Sequence, residues 1–347
     1  MSASPVPPLQ HAIRRLATGA SLTAEEAREA FDAVMSGEGT VAQLSALLVG
    51  LRVKGETPDE VAGAAGALRG AMVHLPADRP DDLVDTCGTG GGAINTFNIS
   101  TAAALLAAGA GVRIAKHGNR SFTSQCGSAD VLEALGVPID VSPAVMERAL
   151  REAGIVFMFA PLMHPAMRHV GPVRRELGIP TVMNIVGPLA NPASAGRQVV
   201  GVADARRVPL IAGALQTLGT RHALVVHGEP GMDEISPLGP THVIEIRDGR
   251  SREWTIDPKR FGFPDGRVEE LGGGPPAENA AAVLAVLDGR APPTARAAVL
   301  LNAAAALFVS GLAEGDFGES LERVQKALDD GAGLSALDRL RRAFGTP

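Results

Sequence analysis

Apolar residues recur at three-and-four spacing through AEEAREAFDAVMSG, VAQLSALLVGLRVKG and PDEVAGAAGALRGAMV, so the pattern from Leu9 to Val73 predicts helices and no strands. Gly37, Gly39 and the GETP turn punctuate this small all-helical unit. The stretch PADRPDD, residues 76–82, has the proline and charge content of a domain junction. From Leu83 the period changes. Short β-rich runs (LVDTC, VRIA, IVFMF, TVMNIV, VVGVA, HALVVHG and HVIEI) alternate with alanine-rich or amphipathic stretches. That alternation predicts a central, mainly parallel sheet flanked by helices, with ligands beyond the carboxyl ends of its strands. From about Pro276 the chain reads as helical again, through AENAAAVLAVLDG, ARAAVLLNAAAALFVSG and FGESLERVQKALDDG. The expected fold class is α/β: a small N-terminal helical domain over residues 1–75, with a later helical segment near 165–180 as a candidate addition, and a large α/β domain over 76–347.

Composition narrows the function classes. A chain of 347 residues can bury two cores. Its net charge of −6 disfavours a nucleic-acid-binding surface, which needs clustered Lys and Arg, but leaves small phosphorylated ligands open. Two cysteines, Cys87 and Cys126, are too few for a disulfide framework and fit a reducing cytoplasm. The leader MSASPVPPLQ lacks the basic and apolar regions of a secretory signal and reads as a short disordered start. The apolar run AVLLNAAAALFVSGLA is interrupted by Asn302 and Ser310, which suits a buried helix and not a membrane span.

The segment CGTGGGAINTFNIST, residues 87–101, is the densest chemical signal. Gly88, Gly90 and Ala93 satisfy a dinucleotide fingerprint, yet the strand VRIA is followed by Lys116 where that fold needs an acid for the ribose hydroxyls. No GxxxxGK[ST] motif is present either. A phosphate cradle fits better: glycines let backbone N–H groups approach oxygens, and NIST places Asn98, Ser100 and Thr101 where a helix begins. After the next strand, KHGNRSFTSQCGSAD, residues 116–130, supplies cationic and hydroxyl groups for a second anion loop.

GTGG, FNIST, AKHGNR and CGSADVLEALGV, followed by HPAMRHVGPVRRELGIPTVMNIVGPLANP, resemble the anthranilate phosphoribosyltransferases of tryptophan biosynthesis, and the resemblance runs from about Leu44 to about Asn302. It implies transfer of phosphoribose from phosphoribosyl pyrophosphate to the amino group of anthranilate, with one or two Mg²⁺ ions, in a homodimer joined through the helical domain. Gly88, Gly91, Gly92, Thr96, Asn98, Ile99, Ser100 and Thr101 fall on the family's phosphoribosyl pyrophosphate loop. Lys116, His117, Gly118, Asn119, Arg120, Ser121, Phe122, Thr123 and Ser124, with Ser128, fall on its second anion loop. Gly88, Asn119, His117, His164 and Pro188 match positions around the acceptor. Arg174 matches a further one, where its guanidinium fork suits the substrate carboxylate. The adjacent Arg175 is set aside by the resemblance alone.

The resemblance also assigns the metal. Asp233 and Glu234, in VVHGEPGMDEIS, match the family's metal-binding pair, and Ser100 its second metal contact; these are hard oxygen ligands of the kind Mg²⁺ takes with substrate phosphates. His117 is a candidate to assist proton loss from the acceptor, although the reaction demands no strong base. A pyrimidine nucleoside phosphorylase of the same fold is disfavoured by the KHGNR loop and the Arg174 segment, and a nucleic-acid-binding relative by the retained acidic pair. In one place the chain departs from the family: the usual loop GTGGDG reads GTGGGA here, with Gly92 and Ala93 replacing Asp and Gly, which leaves open how Mg²⁺ is shared with the substrate.

Overall fold

The structure is a computed structural model that describes residues 6–121, 125–313 and 316–345. The chain opens with α1 (Pro8–Ala17), α2 (Ala24–Met35), α3 (Val41–Lys54) and α4 (Pro58–Gly70). Because α1 begins at Pro8, where proline's fixed φ suits a first turn, the end of the expected disordered leader is helical. The next three helices start with the same signature, a threonine followed three residues later by Glu or Gln. In each, the Thr23, Thr40 or Thr57 hydroxyl accepts from the backbone of Glu26, Gln43 or Glu60, whose side chain takes the threonine N–H in return. Glu60 does more. Fully buried, it also accepts from Leu22 N–H at 2.9 Å and Lys54 Nζ at 2.9 Å, tying the α1–α2 turn to α4.

Beyond the junction come β1 (Val84–Gly88), α5 (Ile99–Gly109), β2 (Ile114–Gly118), α6 (Ser128–Ala134), α7 (Pro143–Ala153), β3 (Ile155–Phe159), α8 (Ala160–Met163), α9 (Met167–Leu177), β4 (Arg197–Gly201), α10 (Val208–Thr217), β5 (His222–Gly228), β6 (Thr241–Arg247) and β7 (Arg250–Ile256). The chain closes with α11 (Pro276–Leu287), α12 (Pro293–Ser310), α13 (Phe317–Asp329) and α14 (Ala332–Gly345). The seven strands form one sheet in the order β3-β2-β1-β4-β5-β6-β7, parallel from β3 to β5 and antiparallel at β6 and β7.

Two strand expectations need correction. TVMNIV is not a strand: Val182–Asn184 is a 3-10 turn, in which Asn184 Oδ1 accepts the Thr181 N–H at 3.0 Å and so competes with any ladder. Conversely, RSREWTI forms β7, which the sequence reading missed because it is an edge strand with mostly exposed, charged residues and no apolar alternation.

Period-two alternation divides the sheet between two cores. Val199, Leu224, Val226 and Val243 pack with α5, α12 and the other C-terminal helices. Val200, Ala223, Val225 and Ile244 pack on the opposite face with α10, which rests on α4 of the N-terminal helices. Segment α9 packs on α2 and α3, so the chain returns to the helical unit after β3. Helix α12 is long and apolar enough to cross a membrane by length alone, but it is buried against α5 and the sheet. Burial on all sides explains its uniform hydrophobicity.

Candidate active site

Strand order reverses between β1 and β4, which opens a crevice at their carboxyl ends. Strands β1, β4 and β5 all finish in glycine, and the loop carrying Asp233 and Glu234 lies directly on those ends. A Cβ at Gly201 would stand 1.7 Å from Asp233 O, one at Gly88 2.6 Å from Asp233 Oδ2, and one at Gly228 2.5 Å from Glu234 O. Any side chain there would push the acidic loop away. From this position Asp233 Oδ2 accepts the Gly90 N–H at 2.8 Å, while Ala93 N–H donates to Gly231 O at 2.8 Å. The glycine loop and the acidic loop are thus clasped together. Gly90 and Gly91 have φ of +70° and +76°, a backbone form that glycine adopts without strain. A Cβ at Gly92 would lie 3.1 Å from Asp233 Oδ1, so in this chain Asp233 occupies the space beside the position where the family's extra aspartate would stand.

Burial pushes the Asp233 carboxyl above its ordinary range. Burial, reinforced by the charge of Asp233, pushes Glu234 up to about 8, against the pull of Lys116 and the Ser100 N–H. Two crowded carboxylates with raised affinity for protons are a donor set that a divalent cation would relieve, with Ser100 Oγ as a third hard oxygen. The described residues hold no cluster of three or more His, Cys, Asp or Glu side chains suited to a metal, so these few oxygens fit Mg²⁺ completed by phosphates and water better than a closed protein cage.

Lys116, nearly fully buried in the middle of β2, directs its ammonium toward Thr86 O, Thr86 Oγ1 at 3.3 Å and Ser100 Oγ at 3.3 Å. It brings β1, β2 and the N-terminus of α5 to one point. Behind it, the fully buried Asp85 accepts the His117 N–H at 3.1 Å and Asn191 Nδ2 at 2.8 Å. Burial raises Asp85 to about 6, while the Lys116 charge and these hydrogen bonds pull it down. Burial likewise lowers Lys116, with Asp85 opposing. The sequence reading missed both Asp85 and Asn191. A lone acid inside a strand and an asparagine before proline carry no periodic signal. Of the residues expected on the first loop, Thr96, Asn98 and Ser100 are half-buried, whereas Ile99 and Thr101 face the core and can offer a ligand little beyond backbone.

The second loop is organised by Asp130, also missed, whose Oδ2 accepts the N–H groups of Ser121 at 3.2 Å and Gly127 at 2.8 Å. Asn119 O accepts Ser128 Oγ at 3.3 Å, closing the turn, and Gly118 is the one residue that fits beside Ser128 and Phe157. Arg120 is not aimed at the crevice. Its NH1 donates to Glu133 at 2.6 Å and Asp130 at 2.7 Å, and these carboxylates hold its guanidinium above the ordinary range. Phe122, Thr123 and Ser124 lie outside the described residues.

His117 and His164, both buried, meet Nε2 to Nε2 at 3.2 Å. Burial, then the neighbouring His164 and Lys116, lowers His117 to about 3; burial lowers His164 to about 4. Both rings are therefore neutral near pH 7, and the contact needs one Nε2–H donor and one bare Nε2 acceptor. Pro188 lies in the adjoining turn, where its carbonyl accepts Gln198 Nε2 at 2.9 Å and faces Cys87 Sγ. Arg174, half-buried on α9, has no hydrogen-bond or ion-pair partner for its guanidinium among the described residues, and burial lowers its pKa. An unpaired, partly desolvated guanidinium is poised for an anion. Arg175 is exposed.

The chain matches two family descriptions: the glycosyl transferase family helical bundle domain over residues 10–72, and the glycosyl transferase family a/b domain over residues 80–334. An anthranilate phosphoribosyltransferase of Anaeromyxobacter sp. (strain K) is 49% identical over 339 residues, covering 98% of this chain and 99% of the relative. Among solved structures, the anthranilate phosphoribosyltransferase of Thermus thermophilus superposes with a TM-score of 0.90 at 40% identity, covering 96% of this chain and 99% of its own. That of Saccharomyces cerevisiae, in complex with PRPP and Mg, gives 0.86 at 26% identity, with 97% of each chain covered.

The buried histidine pair predicts a pH signature. A neutral form favoured by the fold contributes stability that is full above the unfolded pKa, near 6.5, and declines as pH falls below it. The imidazole proton shifts of His117 and His164 should stay flat from about pH 8 to about pH 5. An inflection near 6.5 in either would contradict the assignment.

Proposed function

This chain belongs to the anthranilate phosphoribosyltransferase family, and we propose that it transfers the 5-phosphoribosyl group from phosphoribosyl pyrophosphate to the amino group of anthranilate, releasing pyrophosphate. The observation that carries this reading is the clasp of Asp233 on the glycine loop, which sets the Asp233 carboxylate against that loop with Glu234 and Ser100 beside it.

In the reaction the ribose C1–O bond breaks, its electron pair leaves with pyrophosphate, and the anthranilate nitrogen bonds to C1 before losing its proton. Negative charge grows on the leaving group while the sugar becomes cationic. Stabilisation by preorganised donors and correct placement of the acceptor therefore supply most of the acceleration. The buried Lys116 ammonium, the positive N-terminal end of α5 and the open backbone at Gly91 would provide that stabilisation, the Gly90 N–H being taken by Asp233. Asp233, Glu234 and Ser100 would hold Mg²⁺, which when bound supplies positive charge against the pyrophosphate oxygens. Arg174 pairs with the anthranilate carboxylate. His117 and His164 shape the acceptor site as rings that burial keeps neutral, and the proton leaving the acceptor nitrogen needs no strong base. The two free thiols suit a reducing compartment such as the cytoplasm.

Anthranilate fluorescence gives the test: its signal should decay with phosphoribosyl pyrophosphate only when Mg²⁺ is present, and Asp233→Asn should abolish most of the rate. Equal decay in excess chelator, or no decay with either Mg²⁺ or Mn²⁺, would contradict the reading.

The helical domain offers a dimer surface. On α3, Leu44, Leu47, Leu48 and Leu51 are buried, yet Ala42, Ala46, Val49 and Val53 form a second apolar stripe at helical spacing, with Val53 81% exposed. A second copy of the chain would cover it. Light scattering should report a dimer for the wild type and a monomer for Val53→Glu; a monomeric wild type would contradict the assignment.

A further inference from the structure

Asn279, the fourth residue of α11, stands outside every motif used above and is almost completely buried. Its Oδ1 accepts the Gly274 N–H at 2.7 Å, and its Nδ2 donates to Asn98 Oδ1 at 2.9 Å. Asn98 in turn donates from Nδ2 to Cys126 O at 3.2 Å. The chain of bonds has a direction. The Gly274 N–H can only donate and Cys126 O can only accept, so both asparagine amides are fixed in orientation by the two ends.

This relay joins three segments that are remote in sequence. Asn98 is the N-cap position of α5, but its side chain makes no capping bond to that helix; it reaches across to the second anion loop instead. The segment before α11 is strapped to the first loop as well: Phe97 N–H donates to Leu271 O at 2.9 Å, and Gly273 N–H donates to Asn95 O at 3.2 Å. A Cβ at Gly273 would fall 2.4 Å from Thr96 O, so the two segments lie in direct contact.

We infer that Asn279 is a positioning residue that fixes the spacing between the two anion-binding loops through Asn98, and so sets the affinity for the pyrophosphate-bearing substrate. The inference rests on the reading of these loops as the phosphoribosyl pyrophosphate site. Asn279→Asp keeps the acceptor for Gly274 but loses the donor to Asn98. The Asn98 amide must then turn to donate to the new carboxylate, leaving an oxygen against Cys126 O. Asn279→Ala removes both links, together with the Asn279 contact to the Cys126 thiol.

Full-length protein is titrated calorimetrically with phosphoribosyl pyrophosphate and Mg²⁺, and the KM of each substrate is measured in parallel. Both variants should bind phosphoribosyl pyrophosphate roughly tenfold more weakly, the loss of about one or two hydrogen bonds, with KM for anthranilate within about twofold of wild type. Asn98→Ala should behave similarly, and the Asn98→Ala/Asn279→Ala double variant should bind no worse than the weaker-binding single variant, since the two act as one unit. Binding equal to wild type in Asn279→Ala, losses that add in the double variant, or equal loss for both substrates in proportion to unfolded protein would each overturn the proposal. Wild-type protein that failed to bind phosphoribosyl pyrophosphate would overturn the reading of the site, and the proposal with it.

Discussion

The contact between the Asp233–Glu234 loop and the glycine ends of β1, β4 and β5 is the constraint on which the site depends. Three neighbouring strands stop at residues without a Cβ, and the acidic loop fills the space the side chains would have taken. Its backbone rests on Gly201 and Gly228, which sets the Asp233 carboxylate against Gly88 and the Gly90 N–H while Glu234 turns to the Ser100 N–H. Moving this loop by even an ångström would separate the Asp233 and Glu234 oxygens from the glycine backbone, and misplacement on that scale is costly in catalysis.

The remaining architecture serves that contact. Helices on both faces of the sheet bury β1, β2, β4 and β5, which keeps the strand ends in register. The buried charges Lys116 and Asp85 sit under the crevice, with Asn191 and Thr86 taking up their hydrogen-bonding capacity. An ammonium so placed is expensive to bury alone; the neighbouring Asp85 and Glu234 offset that cost. Asn302, the polar break in the apolar α12, clamps both N–H and C=O of Ile235, the residue after Glu234. An interruption that in sequence served to argue against a membrane span is therefore also a support for the acidic loop.

Much of this was legible in the sequence. The helical unit announced itself by three-and-four periodicity, with Gly37, Gly39 and the GETP turn as its breaks. The parallel strands showed as short β-rich runs, and the glycine loop, Lys116 and the acidic pair as groups whose chemistry converges on an anion and a cation. Long-range clasps were not legible: nothing in the local sequence shows Asp233 bonded to Gly90, or Asn279 to Asn98, across separations of 143 and 181 residues. The pairing of Arg120 with Asp130 and Glu133 was not legible either, because those carboxylates lie on a helix whose docking is a tertiary fact. TVMNIV carried strand propensity that a side-chain cap at Asn184 overrode, and the charged edge strand β7 carried too little apolar pattern to register.

Absence of a side chain at a strand end holds the glycine loop and the acidic loop together. Gly201→Ala tests it most directly, because the added Cβ would overlap Asp233 O at 1.7 Å while leaving every functional group of the site chemically intact. With the far-UV circular dichroism of the wild type retained, Mg²⁺-dependent consumption of anthranilate should fall by about a hundredfold or more. A folded Gly201→Ala protein with turnover within about twofold of wild type would contradict the account.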